Sequence, residues 1–261
     1  MIFGKWIAKS TLKNQLGGEM EKGKFIRGVA FDLEGTVVNL EPIHHQSHIL
    51  SAQDVGLRLT LDDCFERLPH FIGGPDEKVA EEIAHEVGAT NPDVASRILE
   101  SKRAHYERLF RDFSFTTRPG FFEIFGWLRA HNLGVAIGTA TPFSRIRPIL
   151  DRSGLSMLFT KKEIITEIDV KHNKPAPDIF LETAKRMGVN PDQQLVFEDS
   201  PRGVMAGIAA GSLVVGMPIY KKASVLQALL EAGVSRIFME WNEIEIAALI
   251  INLSSEPQRT Q

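Results

Sequence analysis

Residues 26–36, with the sequence Ile-Arg-Gly-Val-Ala-Phe-Asp-Leu-Glu-Gly-Thr, decide the fold of this chain. An apolar run that ends in a carboxylate and is followed by a glycine turn is typical of a buried β-strand that opens into a loop. Ligands of parallel α/β sheets bind at the carboxyl ends of the strands. The two acids Asp32 and Glu34 therefore predict either a functional site or, equally well from this segment alone, an Asx-type turn in which Asp32 bonds the following backbone N–H groups.

The composition of the chain is that of an ordinary globular protein. Its 261 residues, 43% of them hydrophobic, are enough for one large domain or two small ones with a full core. The net charge of −3 argues against a nucleic-acid partner. No apolar stretch approaches the roughly 20 residues of a membrane span, so no membrane partner is predicted.

The cysteine content and the N-terminus bear on localisation. Cys64 is the only cysteine, which excludes an intrachain disulfide and favours a reducing, cytoplasmic location. Residues 1–24 are predicted to be an N-terminal extension. Because residues 1–18 contain three lysines and no acid, organelle targeting remains a weaker alternative for this segment.

Strand-like and helix-like segments alternate in the second half of the chain. This alternation predicts an α/β fold, with a doubly wound parallel sheet and helices on both faces. Residues 41–117 show helical patterning without strands, which predicts a helical cap domain inserted between residues 25–40 and 118–253 of the core. Residues 254–261 are polar and are predicted to be a disordered tail. The strands and helices predicted in the second half are 134–138, 142–151, 177–187, 195–197, 201–210 and 213–216.

Three further segments with chemical potential lie at ends of predicted strands. Thr139 stands between a strand and a helix, where a hydroxyl and a helix N-terminus can bind phosphate, although Thr is also a common helix N-cap. Lys174 lies in a proline-rich loop and is either a cation that neutralises a phosphoryl oxygen or carboxylate, or a solvated loop lysine. Glu198 and Asp199 follow an apolar run, where unpaired carboxylates are costly. A hard cation such as Mg²⁺, which prefers oxygen ligands, would stabilise them.

The order of these four segments resembles the haloacid dehalogenase-like superfamily of hydrolases, from about Gly28 to Gly216. The stretches 39–44, 118–120, 173–178 and 198–204 look like the branch that contains β-phosphoglucomutases and sugar-phosphate phosphatases. The resemblance implies a Rossmann-like core with an inserted helical cap. It also implies a Mg²⁺-dependent phosphatase that acts on a small phosphorylated metabolite, namely a sugar, polyol or nucleotide phosphate.

The same resemblance implies a role for each matching residue. Asp32 would be the nucleophile that forms an aspartyl-phosphate, and Glu34 would act first as general acid and then as general base. Thr139 would hold a phosphoryl oxygen, and Lys174 would stabilise developing negative charge. The residues implied to bind substrate are Gly35, Thr36, His44, Thr139, Ala140 and Lys174.

The implied metal ligands are carboxylates at the same strand ends. Asp32 and Asp199 would bind Mg²⁺, with Glu198 as a second candidate, and Glu34 would contribute through its backbone carbonyl. Monomeric and homodimeric states are both compatible with the sequence.

Glu34 departs from the pattern of this branch, whose members usually have Asp at the matching position. The Glu side chain is one methylene longer than that of Asp. At this position alone the chain resembles the enolase-phosphatase branch, where Glu is usual. Because proton transfer demands close geometry, three functions stay open. They are a phosphatase, a β-phosphoglucomutase-like phosphomutase, and a non-catalytic phosphate-binding homologue.

Overall fold

A six-stranded parallel sheet lies at the centre of the protein, whose computed structural model describes residues 25–72, 74–91 and 93–255. The strand order is β3-β2-β1-β4-β5-β6. Strands β2 and β3 are added on one side of β1 and strands β4 to β6 on the other, so the strand order reverses between β1 and β4. This confirms the predicted α/β class with a doubly wound parallel sheet. The strands are β1 Gly28–Phe31, β2 Gly134–Gly138, β3 Ile164–Ile165, β4 Gln194–Glu198, β5 Leu213–Gly216 and β6 Arg236–Ile237.

Ten α-helices occur in the described part of the chain. The first four lie within the segment predicted as the cap, and the other six flank the sheet. No helix of the described residues is long and apolar enough to cross a membrane. The helices are α1 Glu41–Asp54, α2 Leu61–Arg67, α3 Asp76–Glu86, α4 Asp93–Asp112, α5 Phe121–Ala130, α6 Phe143–Arg152, α7 Asp178–Met187, α8 Pro201–Ala209, α9 Ala223–Ala232 and α10 Ile246–Ser255.

Strand β1 is buried on both faces, which fixes the position of the loop that follows it. Successive residues of a strand point to opposite faces, so Val29 and Phe31 enter one apolar cluster and Ala30 enters the other. The Phe31 ring stacks on Phe197 of the neighbouring strand β4, with centroids 5.8 Å apart, and meets Trp241 edge-on at 5.5 Å. Asp32 is thus attached to a rigid strand end.

The inserted helices have an apolar cluster of their own, which includes Leu68, Ile83 and Ile98. The two chain segments that connect the insert to the core lie side by side. Val38 forms a β-bridge with Thr117, and Arg118 donates its backbone N–H to the carbonyl of Val37. The inserted helices are therefore joined to the core by two adjacent chain segments.

The predicted disordered tail begins too early. Ser254 and Ser255 lie in the last turn of α10, where their hydroxyls donate to backbone carbonyls four residues earlier. The Ser254 hydroxyl also accepts the backbone N–H of Ile26 at 3.3 Å, which ties the helix end to the residue before β1. The prediction is wrong for these two serines because their polar groups bond within the fold. Residues 256–261, like the predicted extension 1–24, lie outside the described residues.

Candidate active site

Two neighbouring strands and one loop bring a lysine between two buried carboxylates. Asp32 follows β1, and Glu198 ends β4, which pairs with β1 in parallel. The Lys174 Nζ donates to Asp32 Oδ1 at 2.5 Å and to Glu198 Oε1 at 2.7 Å. All three side chains are buried. The solvated-lysine interpretation of Lys174 is therefore wrong, because the proline-rich loop points this side chain into the protein.

Burial and neighbouring charges together raise the pKa values of both Asp32 and Lys174. Burial raises the pKa of Asp32 to about 7, and the repulsion of Glu198 adds to the rise, while Lys174 opposes it. Burial would lower the pKa of Lys174, but the carboxylates of Asp32 and Glu198 outweigh it and hold that pKa above its ordinary value. Lys174 is accordingly a permanent cation at the end of β1.

Glu198 is held in place from two sides. Its Oε2 accepts hydrogen bonds from the backbone N–H of Ser200 at 2.7 Å and from the Ser200 hydroxyl at 2.9 Å, while Oε1 accepts from Lys174. A Cβ atom at Gly203 would lie only 1.6 Å from Glu198 Oε1, so any larger residue at this position of α8 would displace the Glu198 carboxylate. Arg202 donates to the Lys174 carbonyl at 2.6 Å. The 198–203 segment therefore orients the lysine as well as the carboxylate.

Asp32, Glu198 and Asp199 form a cluster of carboxylates that fits a hard divalent cation. One oxygen from each lies within 4.8 Å of the others. Three carboxylates with one ammonium among them carry an excess of negative charge, and burial together with Glu198 and Asp32 raises the pKa of Asp199 well above its ordinary value. All these donors are oxygens, the ligands that Mg²⁺ prefers. The Glu34 carboxylate is not part of this cluster.

The loop after β1 wraps closely around Asp199. The Thr36 hydroxyl donates to Asp199 Oδ1 at 3.2 Å. Gly35 has φ +89°, and a Cβ atom there would lie 2.1 Å from Asp199 Oδ2. Glycine is required at this position for both its backbone conformation and the close approach. Gly35 and Thr36 are thus placed against the carboxylate cluster.

The loop after β2 presents two threonines and an alanine beside β1. Thr139 is buried, and its backbone N–H donates to the carbonyl of Ile165 at 3.0 Å. Its hydroxyl accepts a hydrogen bond from the backbone N–H of Thr141 at 3.1 Å. The N-cap of α6 is Pro142, three residues later, so the alternative interpretation of Thr139 as an ordinary helix cap is wrong. Ala140 lines the cavity above the site.

The Glu34 carboxylate points across the site to the loop after β2. Its Oε2 accepts a hydrogen bond from the Thr141 hydroxyl, and both residues line the cavity. Burial raises the pKa of Glu34, while the Thr141 hydrogen bond and the charge of Arg145 oppose the rise. The side chain is therefore available to a molecule in the cavity.

A family model of the haloacid dehalogenase-like hydrolases matches residues 26–211. The chain belongs to the haloacid dehalogenase-like hydrolases. This confirms the predicted family and the prediction of an enzyme. The chain is similar to the fructose-1-phosphate phosphatase YqaB of Escherichia coli, at 29% identity over 70% of this chain and 92% of that protein. It is also similar to a phosphorylated carbohydrates phosphatase of Thermotoga maritima, at 27% identity over 80% of this chain and 92% of that protein.

A solved structure agrees with this family assignment. A haloacid dehalogenase family hydrolase of Deinococcus radiodurans, crystallised with bound phosphate and sodium, superposes with a TM-score of 0.72. Its sequence is 25% identical, and the match covers 90% of this chain and 100% of that chain. The likeness therefore extends over the core and the inserted helices together.

The cavity of this haloacid dehalogenase-like hydrolase has a volume of about 580 Å³ and lies between the strand ends and the inserted helices. On the helical side, the Lys102 Nζ donates to Asp76 Oδ2 at 2.5 Å and lies 3.2 Å from His44 Nδ1. Burial and the charge of Lys102 lower the pKa of His44 to about 4. His44 is thus a neutral imidazole at the cavity wall near neutral pH.

Arg118 and Trp241 hold the loop after β1 of the hydrolase in place, and neither role can be predicted from the sequence. The Arg118 guanidinium donates to the carbonyls of Gly35 at 2.8 Å and Met217 at 2.6 Å. Trp241 Nε1 donates to the Thr36 carbonyl at 3.2 Å. An arginine before Pro-Gly gives no signal of which carbonyls it binds, because those partners lie 83 and 99 residues away.

Proposed function

We propose that this hydrolase is a Mg²⁺-dependent phosphatase of a sugar or polyol monophosphate that works through an aspartyl-phosphate. The observation that carries the proposal is the buried Asp32–Lys174–Glu198 group, with Asp199 beside it lining the cavity. A carboxylate oriented by an ammonium group, with phosphate-binding loops around it, is arranged for nucleophilic attack on phosphorus. The phosphatase names of the two curated relatives support the same reaction.

In the proposed reaction, a carboxylate oxygen of Asp32 forms a bond to phosphorus as the bond to the sugar oxygen breaks. Glu34 gives its proton to that oxygen, so the alcohol leaves neutral. Glu34 then takes a proton from water, whose oxygen bonds to phosphorus as the bond to Asp32 breaks, and inorganic phosphate is released. Mg²⁺, held by Asp32 and Asp199, would neutralise negative charge on the phosphoryl group.

The walls of the cavity favour a leaving group without a second negative charge. The cations of the wall are already paired with carboxylates, which would repel an additional phosphate or carboxylate on the substrate. Hydroxyl groups, in contrast, can bond to the paired charges as they stand. The ion pairs are Lys102–Asp76 at 2.5 Å, Arg145–Glu107 at 2.8 Å and Arg103–Glu77 at 3.3 Å.

A phosphate-release screen tests the proposal. The panel contains hexose monophosphates, glycerol phosphates, nucleoside monophosphates, phosphoglycolate and a hexose bisphosphate, each with Mg²⁺ and with EDTA. We expect Mg²⁺-dependent release, with kcat/KM for sugar or polyol monophosphates at least about tenfold above that for the doubly anionic compounds. No release from any compound would favour a non-catalytic phosphate-binding protein. An isomerised sugar phosphate that forms faster than inorganic phosphate would favour a phosphomutase.

The carboxylate cluster also predicts how stability depends on pH and Mg²⁺. Because the pKa values of Asp32 and Asp199 are raised, the folded metal-free protein binds more protons than the unfolded chain between about pH 4 and pH 7. The free energy of unfolding contributed by Asp32 is therefore fully present below about pH 4 and is lost as the pH rises through about 7, and Asp199 contributes with the same sign. Mg²⁺ stabilises the folded form by binding the ionised carboxylates, so it should raise Tm more at about pH 7.5 than at about pH 5.

Thermal unfolding with EDTA and with MgCl₂, at both pH values, measures this effect. Asp199→Asn should lose most of the Mg²⁺-induced rise in Tm, whereas Asp62→Asn, at an exposed position in α2, should keep it. An equal rise in Tm for the wild type and Asp199→Asn would show that Mg²⁺ binds elsewhere.

A further inference from the structure

The contact between Glu34 and Thr141 joins two loops that are 107 residues apart in the chain. In the described part of the protein, the donor that reaches the Glu34 carboxylate is the Thr141 hydroxyl, which bonds to Oε2. Both side chains line the cavity, so the contact is made at the surface that receives the substrate. The hydroxyl gives its hydrogen to Oε2, so the second oxygen of the carboxylate is not used in this contact.

Thr141 is itself held in a fixed position. Its backbone N–H donates to the Thr139 hydroxyl at 3.1 Å, and it stands directly before Pro142, the N-cap of α6. Proline restricts the backbone of the residue before it to extended conformations. The Thr141 hydroxyl is therefore a rigid donor, connected through its own backbone to the hydroxyl at the end of β2.

A glutamate needs such a partner more than an aspartate does. The additional methylene adds a rotatable bond, and ordering a long side chain costs up to about 2 kcal/mol of conformational entropy. A proton donor that is free to move loses the orientation on which general acid catalysis depends. Arg145, in the first turn of α6, also lines the cavity, and its positive charge favours the ionised form of Glu34.

We propose that Thr141 is a positioning residue for Glu34: its hydroxyl holds the longer acidic side chain in the orientation from which Glu34 protonates the leaving oxygen. The inference rests on the proposed phosphatase reaction and goes beyond it, since it assigns to Thr141 a role through Glu34 and not through contact with the substrate. It also explains how this site accommodates glutamate at a position where its relatives usually have aspartate.

The test compares two substrates that differ in their need for a proton. An alkyl phosphate releases a strongly basic alkoxide and needs the acid, whereas p-nitrophenyl phosphate releases a stable phenolate and does not. We expect Thr141→Val to lower kcat/KM for the best alkyl phosphate by about 10- to 100-fold and for p-nitrophenyl phosphate by less than about threefold. Thr141→Ser keeps the hydroxyl and should retain most of the activity. Thr90→Val, at an exposed position between α3 and α4, is the matched control and should leave both rates unchanged.

A double-mutant cycle with Glu34→Gln separates positioning from other roles. The amide of Glu34→Gln keeps the shape of the side chain but cannot donate the acid proton, so adding Thr141→Val to this variant should change the alkyl phosphate rate by less than about threefold. Equal losses for both substrates, or a full effect of Thr141→Val in the Glu34→Gln background, would overturn the proposal. Should Thr141→Val fail to fold, Thr141→Ala, which also lacks the hydroxyl, takes its place in both comparisons. Absence of phosphate release in the wild type would instead refute the proposed function.

Discussion

Asp32→Asn is expected to lower kcat for phosphate release at least about a thousand-fold while the protein stays folded. An amide nitrogen or oxygen at this position cannot serve as the nucleophile, whereas the carboxylate is already oriented by Lys174 at 2.5 Å. The fold should persist because the change also removes the repulsion of Asp32 with Glu198, and Lys174 keeps Glu198 as its partner at 2.7 Å. Steady-state phosphate release and chemical denaturation measure the two effects.

The nucleophile can also be identified directly. Acid quenching during turnover should trap a covalent phosphate on the wild-type peptide that contains Asp32, and the Asp32→Asn variant should give none. Asp62→Asn removes an exposed aspartate of α2 and should leave both activity and trapping unchanged. Phosphate release by Asp32→Asn within about tenfold of the wild type would refute covalent catalysis by Asp32.

The sequence predicts the residues of the site better than it predicts their contacts. Asp32, Thr139 and Glu198 can be identified because each follows or ends an apolar strand, and parallel strands place such ends at one edge of the sheet. Residues that follow different strands are thus close together in the fold although they are far apart in the sequence. The helices of the insert are predicted for a similar reason, since their apolar residues recur with helical spacing.

Contacts between side chains of different loops cannot be predicted in this way. The bond from Thr141 to Glu34 and the bond from Arg118 to the Gly35 carbonyl depend on the directions of side chains whose backbones are brought together only by the complete fold. The two-residue strands β3 and β6 are missed for another reason, because two residues carry no alternation. Glu34 illustrates the consequence: its departure from the usual aspartate is visible in the sequence, but the hydroxyl that it bonds is not.

Lys174→Met is expected to lower the free energy of unfolding by about 3–5 kcal/mol near neutral pH and to abolish phosphate release. Methionine fills a similar volume without the charge, so Asp32 and Glu198 would both stay buried without the ammonium that now lies 2.5 and 2.7 Å from them. Removal of one partner from a buried ion pair is far more destabilising than loss of a surface pair. Urea unfolding of metal-free protein measures the loss.

The pH dependence of this loss identifies its electrostatic origin. Without Lys174, the pKa of Asp32 in the folded protein rises further above its value in the unfolded chain, so the penalty is present at high pH. It shrinks as the pH falls towards about 4 and vanishes well below that, where the carboxyl group is protonated in both states. Lys185→Met is the matched control, because that lysine is exposed on α7 and pairs with Glu182 at the surface. A loss of less than about 1 kcal/mol for Lys174→Met near neutral pH, or one that is independent of pH, would mean that the two carboxylates do not need this charge in the folded protein. In that case Lys174 would act on the phosphoryl group alone, and the stability of the site would have to come from the hydrogen bonds of Ser200 to Glu198.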